Sequence, residues 1–226
     1  MSLFIVSTPI GNLEDITLRA IRILTSVDTI LCEDTRRTGL LLQHLHIKKP
    51  LIPYYEEIED RKIPEIIALL QHKSIALVSD AGTPLISDPG FKLVRECIQR
   101  GIKVESIPGP SAAIAALTSS GLPPDKFIFL GFVNKKNFPS VKPGVTAIFY
   151  AAPHKLVQNL KDLGAAFGDI EIVVCRELTK VHEEIWKGAI SQALSHFSHP
   201  KGEFVLLFQG ANPKASMSSA GTPPLP

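Results

Sequence analysis

The stretch Ile75-Ala76-Leu77-Val78-Ser79-Asp80-Ala81-Gly82-Thr83-Pro84, continuing through Ser87-Asp88-Pro89-Gly90, decides the fold class. An apolar run of strand length gives way to a loop rich in Gly, Pro, Asp and Thr, and a segment with helical periodicity follows. An earlier stretch repeats the arrangement, with Leu3-Phe4-Ile5-Val6 leading into Thr8-Pro9-Ile10-Gly11-Asn12 and then another helix-like segment. Both read as strand-to-helix turns. Ligands of open α/β sheets settle at the carboxyl ends of the strands, so these loops mark the candidate site. The same residue types also build ordinary tight turns, and it is the occurrence of several such loops in one half of the chain that favours a site.

Outward from these loops, strands are expected near 3–7, 28–32, 74–78 and 103–107, alternating with helices near 16–25, 36–45, 61–71 and 90–100. That alternation predicts parallel βαβ units. The first helix carries Ile16, Ala20, Ile23 and Leu24 on one face, with Asp15 as its expected cap. A further apolar helix is expected after Pro108-Gly109-Pro110-Ser111, with Ser111 at its N-cap. Gly121-Leu122-Pro123-Pro124-Asp125 breaks the pattern, so the domains are expected to span 1–121 and 122–210. In the second half, strands at 127–132, 145–150, 170–175, 182–187 and 203–208 with helices at 153–163 and 189–197 suggest a mixed sheet with antiparallel pairs. Residues 211–226, small and polar with little to bury, read as a disordered tail.

The 226 residues are 45% hydrophobic and 20% charged, enough to bury a substantial core. A net charge of +2 is too small to argue for nucleic acid by itself, so any RNA contact must be local. Cys32, Cys97 and Cys175 are widely spaced and odd in number, which supports neither a disulfide framework nor a zinc site and fits a reducing cytoplasm. No stretch approaches the roughly 20 apolar residues of a membrane helix, and the N-terminus lacks a charged leader followed by an apolar run.

Other motifs are missing. There is no Gly-x-Gly-x-x-Gly after the first strand and no Walker loop, which weakens dinucleotide and nucleoside triphosphate readings. Gly109-Pro110-Ser111-Ala112-Ala113 lacks the second glycine of a nucleophile elbow, and the histidines show no metal-ligand spacing, so no metal site is expected.

Five segments occur in an order that carries a resemblance: Thr8 to Thr17, Glu33-Asp34-Thr35-Arg36, Ser79 to Gly90, Pro108-Gly109-Pro110-Ser111-Ala112, and Arg176-Glu177-Leu178-Thr179-Lys180. From residue 3 to about 210 the chain resembles the bacterial ribosomal RNA small-subunit methyltransferase I family, within the tetrapyrrole methylase-like class of S-adenosylmethionine enzymes. The resemblance implies two α/β domains with the methyl donor between them, a homodimer, and 2′-O-methylation of a cytidine ribose in the decoding region of 16S rRNA. It also implies a donor site walled by Pro9, by Asp80, Ala81, Gly82 and Thr83, and by Ser111 with Ala112.

Such chemistry suits the residues, because an in-line methyl transfer needs alignment in a dry cleft more than it needs a metal. A ribose hydroxyl is a very weak acid, so a base helps; Glu33, Asp34 and Glu177 are the candidates, each at an expected strand end. An ion pair with Arg36 or Arg37 is the alternative role for Glu33 and Asp34. Arg36, Arg37, Lys135, Lys136, His154 and Lys155 are candidate phosphate contacts.

The chain departs from the family at Tyr150-Ala151-Ala152-Pro153-His154-Lys155, where a carboxylate and a hydroxyl are usual, and it compresses a basic segment into Asn134 to Gly144. Two other readings therefore stand beside the first. One is a methyltransferase of the same fold acting on a small molecule or a protein, the other a donor-binding protein that has lost its acceptor site.

Overall fold

The computed structural model describes residues 1–210; the expected tail at 211–226 lies outside the described residues. By internal contacts the described residues divide into two compact units, Met1–Ala112 and a second that begins at Ala113. The expected boundary segment, Gly121 to Asp125, is the connection that leads into the first strand of the second unit.

In the first unit, β1 (Ser2–Val6), β2 (Thr29–Cys32), β3 (Leu51–Pro53), β4 (Ile75–Leu77) and β5 (Lys103–Ile107) form one sheet in the order β3-β2-β4-β1-β5. Every pairing is parallel. Side chains alternate across a strand, and here both faces are apolar. Leu3, Ile5, Leu31, Ile75 and Leu77 pack with α3 (Glu59–Leu70) and α4 (Phe91–Gln99), while Val6, Ile30, Cys32 and Ala76 pack with α1 (Leu18–Ser26) and α2 (Thr35–His44). This is a doubly wound sheet. The chain leaves β1 for α1 on one face and leaves β4 for α4 on the other, although β1 and β4 are neighbours. Their loops therefore part at a topological switch point, the position at which such sheets bind ligands.

Two local expectations are corrected. Asp15 does not cap the first helix: it ends a 3-10 turn, Leu13–Asp15, and α1 starts only at Leu18, where the Ala20 N–H donates to Thr17 Oγ1 at 3.0 Å. The cap falls instead to Thr17, two residues further on, because the extra 3-10 turn delays the start of the helix. The edge strand β3 was not foreseen, because three residues bounded by Pro50 and Pro53 are too few to show a period.

The second unit holds a mixed sheet. It consists of β6 (Phe127–Phe132), β7 (Thr146–Ala151), β8 (Glu171–Arg176), β9 (Glu184–Ala189) and β10 (Phe204–Gln209) in the order β6-β7-β10-β8-β9. Only β6 and β7 run parallel; the remaining pairs are antiparallel, as the second-half pattern suggested. One sheet face, with Phe149, Ile172, Val174, Leu206 and Phe208, buries against α6 (Leu156–Phe167) and α7 (Ile190–His196). On the other face lies buried Cys175, whose thiol burial pushes up to about 12 against the effect of Ser119 in α5 (Ala112–Ser119).

Candidate active site

The loops after β1, β4 and β5 are tied to one another by main-chain and hydroxyl hydrogen bonds. Thr8 and Gly82 exchange backbone bonds, the Thr8 N–H reaching the Gly82 carbonyl at 2.8 Å and the Gly82 N–H returning to Thr8 at 3.1 Å. The Thr8 hydroxyl also donates to the Ser79 carbonyl at 3.3 Å. Thr83 carries the connection onward: its hydroxyl donates to the Pro110 carbonyl at 2.9 Å and lies 3.0 Å from the Ser7 hydroxyl. Gly82 takes φ +82°, which favours glycine, and a Cβ there would stand 3.1 Å from Ile10. At Gly109 a Cβ would sit 2.9 Å from that of Ser7, so only glycine lets the β5 loop lie this close to the β1 loop.

The expected donor-site residues within this unit are thereby brought together. Pro9 is buried beside Thr8, Ala81 is exposed at the tip of its turn, and Ser111 and Ala112 follow directly from the Pro110 carbonyl that Thr83 holds.

Asp80 joins this group to the end of β2. Its Oδ1 accepts from the Asp34 N–H at 3.1 Å, and its Oδ2 lies 3.5 Å from Arg37 Nη1. Asp34 itself is committed: it caps α2 by accepting from the Arg36 N–H at 2.8 Å and grips the Arg36 guanidinium at 3.1 and 2.7 Å. Those bonds hold its carboxyl well below the usual range. Glu33, one residue earlier, has the opposite character. Burial, then the Asp88 and Asp80 carboxylates, push it up to about 7 against the pull of Arg37. Asp88 is raised to about 6 by burial and by Asp80, with the Ser79 hydroxyl acting the other way. Asp88 lies in the opening motif, but only its place beside Glu33 and Asp80 singles it out. In the β1 loop, Asp15 Oδ2 is buried without a hydrogen-bond partner among the described residues.

Glu177 belongs to a different arrangement. Partial burial raises its carboxyl, but Lys180 Nζ at 2.9 Å and the Glu203 N–H at 2.8 Å outweigh this and hold it below its ordinary value. It adopts φ +51° and folds over Gly202, where a Cβ would meet its side chain at 2.6 Å. Of the candidate phosphate contacts, Arg36 and Arg37 project from the first turn of α2, Arg36 in its bond to Asp34. Lys135 and Lys136 stand in a 3-10 turn, Lys135 paired with Asp162 at 3.0 Å, and His154 and Lys155 are exposed in the turn that opens α6.

The family model for tetrapyrrole (corrin/porphyrin) methylases matches residues 2–194. The chain is 46% identical over 217 residues to the ribosomal RNA small subunit methyltransferase I of Thermotoga maritima, a match covering 92% of this chain and 98% of that protein. The chain belongs to the ribosomal RNA small subunit methyltransferase I family of tetrapyrrole methylases. Other members of this family include the proteins of that name from Synechocystis sp. (48% identical, covering 94% of this chain and 80% of that one) and Escherichia coli O157:H7 (45%, covering 92% and 77%). Among solved structures, diphthine synthase shares the tetrapyrrole methylase fold with a TM-score of 0.75 at 14% identity, over 93% of this chain and 90% of that one.

Proposed function

We propose that this chain transfers a methyl group from S-adenosylmethionine to the 2′-hydroxyl of a cytidine ribose in the decoding region of 16S rRNA. The observation that carries the proposal is the joining of the β1, β4 and β5 loops at the switch point, with Glu33, Asp80 and Asp88 beside them. The names of the relatives supply the acceptor class.

The residues present fit that donor. It carries a sulfonium and an ammonium group, and the carboxyls of Glu33 and Asp88, raised first by burial and then by neighbouring carboxylates, gain from a cation nearby. The orphaned Asp15 Oδ2 adds an acceptor in the β1 loop. Exposed Ala81 and Gly109 keep side chains out of the way of close backbone approach. When bound, S-adenosylmethionine supplies an electrophilic methyl group.

Asp80 then offers charge to the donor while its own position is fixed by Asp34 and Arg37. Glu33 receives the proton of the ribose hydroxyl at its carboxylate, since a group titrating near 7 is matched to proton transfer at neutral pH. Asp34 and Glu177, each locked to a cation and a backbone N–H and held at low pKa, are poorer bases. Lys136, His154 and Lys155, with Arg36, Arg37 and Lys135 on exchange of their carboxylate partners, set the RNA by its phosphates. By the same resemblance the chain works as a homodimer in the cytoplasm; no described helix is long and apolar enough to cross a membrane.

Purified chain, radiolabelled S-adenosylmethionine and small ribosomal subunits from a strain deleted for the gene test this reading. Label in a 2′-O-methylcytidine of 16S rRNA supports it. Persistence of the mark in the deletion strain, or label confined to protein or small molecules, overturns it.

A further inference from the structure

We infer that Glu59 is a positioning residue whose buried carboxylate, oriented by Tyr54, clamps Gly90 and thereby holds the Ser79–Gly90 loop in its working shape.

The geometry is specific. Tyr54 is fully buried and Glu59 is only 5% exposed. A single oxygen, Glu59 Oε1, accepts from the Tyr54 hydroxyl at 2.8 Å and from the Gly90 N–H at 3.0 Å. Lys92 Nζ lies 3.8 Å from the other oxygen and is drawn further out by Asp60 at 2.8 Å. A buried carboxylate is costly unless its lone pairs are satisfied, so a site with this many donors is one the fold maintains. Gly90 is also the N-cap of α4 and has no side chain with which to cap it, so Glu59 places its negative charge where the helix exposes unpaired N–H groups.

The loop needs such a clamp. Leu85 and Ser87 take φ +72° and +68°, in the region that L side chains rarely adopt, and Gly90 takes φ +127°. A Cβ at Gly90 would lie 2.6 Å from Leu77 and 3.0 Å from Leu85. A strained segment persists only if its surroundings over-determine it. At its beginning the loop is held through Thr8, Ser79 and Gly82; at its end the hold is Glu59 on Gly90. Asp88 and Asp80 lie between these two anchors, so Glu59 acts on the carboxylate group through the loop and touches no reacting atom.

The effect on the donor rests on the reading of these loops as its site. Hydrogen exchange followed by mass spectrometry and S-adenosylmethionine binding followed by calorimetry test the clamp in the full chain. In wild-type protein the Gly90 amide is protected. Glu59→Leu, which keeps bulk and removes the acceptor, speeds exchange across 79–90 and raises the donor Kd, each by about tenfold, the scale of one lost charge-assisted bond. Glu59→Gln keeps an acceptor oxygen for both donors but loses the charge, so both measurements fall between wild type and Glu59→Leu. Such rescue is not expected if Glu59 serves only as a buried charge. Exchange across 79–90 that is unchanged in Glu59→Leu, or as fast in Glu59→Gln as in Glu59→Leu, overturns the inference. Should Glu59→Leu fail to fold, rapid exchange of the wild-type Gly90 amide, or no local acceleration in Tyr54→Phe, overturns it equally. Wild-type chain that binds no S-adenosylmethionine defeats the donor reading, while the exchange measurements still decide the clamp.

Discussion

Thr8 and Gly82 are bound to each other through both of their peptide groups, at 2.8 and 3.1 Å, as if one rung of an antiparallel ladder had been set between two loops that follow parallel strands. The rung closes the switch point between β1 and β4, because the loops would otherwise follow α1 and α4 to opposite faces of the sheet. It needs Gly82 at φ +82°.

Gly82→Ala therefore strains the backbone by about 1–2 kcal/mol, the cost of a left-handed L residue, and presses its methyl group toward Ile10. Thermal denaturation should show a lower melting midpoint, and calorimetry a weaker grip on S-adenosylmethionine. A variant with wild-type values in both would separate this rung from the site.

Asp80→Ala removes the acceptor of the Asp34 N–H and the partner of Arg37, and with them a negative charge beside Glu33. Donor affinity should fall at least about tenfold with circular dichroism unchanged, the scale of a lost charge-assisted contact. The carboxyl of Glu33 should move down toward its ordinary value, readable by NMR titration.

The raised carboxyl of Glu33 makes a paired prediction about pH. Between its unfolded value of 4.5 and its folded value of about 7, the native chain holds a proton that the unfolded chain has released. Stability from this group is thus complete below 4.5 and is lost as pH rises through 7. Asp88, raised to about 6, adds to the same trend. Glu33→Gln should accordingly raise the melting midpoint more at pH 8 than at pH 5. Methyl transfer should show the reverse: the wild-type rate climbs through about pH 7 as Glu33 ionises, and Glu33→Gln loses about 10²–10⁴-fold of it.

Glu177 has the opposite sign. Its carboxyl is held low by Lys180 and the Glu203 N–H, so its contribution to stability is present above the ordinary value of 4.5 and disappears as pH falls through the lowered one. Glu177→Ala leaves the Glu203 N–H and Lys180 without this partner and should cost about 1–3 kcal/mol. Urea denaturation at pH 7 and at pH 3 checks this: the deficit of the variant should be marked at pH 7 and shrink at pH 3.

Much of this arrangement was legible along the chain. Ile75 to Val78 and Leu3 to Val6 announced strands because short apolar runs next to Gly- and Pro-rich loops leave few alternatives, and the four helices that follow strands in the first unit carried their own periodicity. The order of motifs was enough to indicate the family. Residue-level roles were less accessible. Asp34 and Glu33 are adjacent and chemically alike in sequence, yet one is locked to Arg36 and the other is pushed toward neutrality by burial and, after it, by Asp88 and Asp80.

Those differences have a common cause. Propensity, caps and periodicity act within a few residues, so the sequence by itself determined the strand-helix alternation, the glycine and proline punctuation of the loops, and the parallel character of the first sheet. The folded chain alone decided which loops share a switch point, which carboxylates face one another, and that Glu59 reaches Gly90 across 31 positions. Burial and electrostatic repulsion depend on distance in space, and hydrogen bonds between loops exist only after the sheet has brought β1, β4 and β5 side by side.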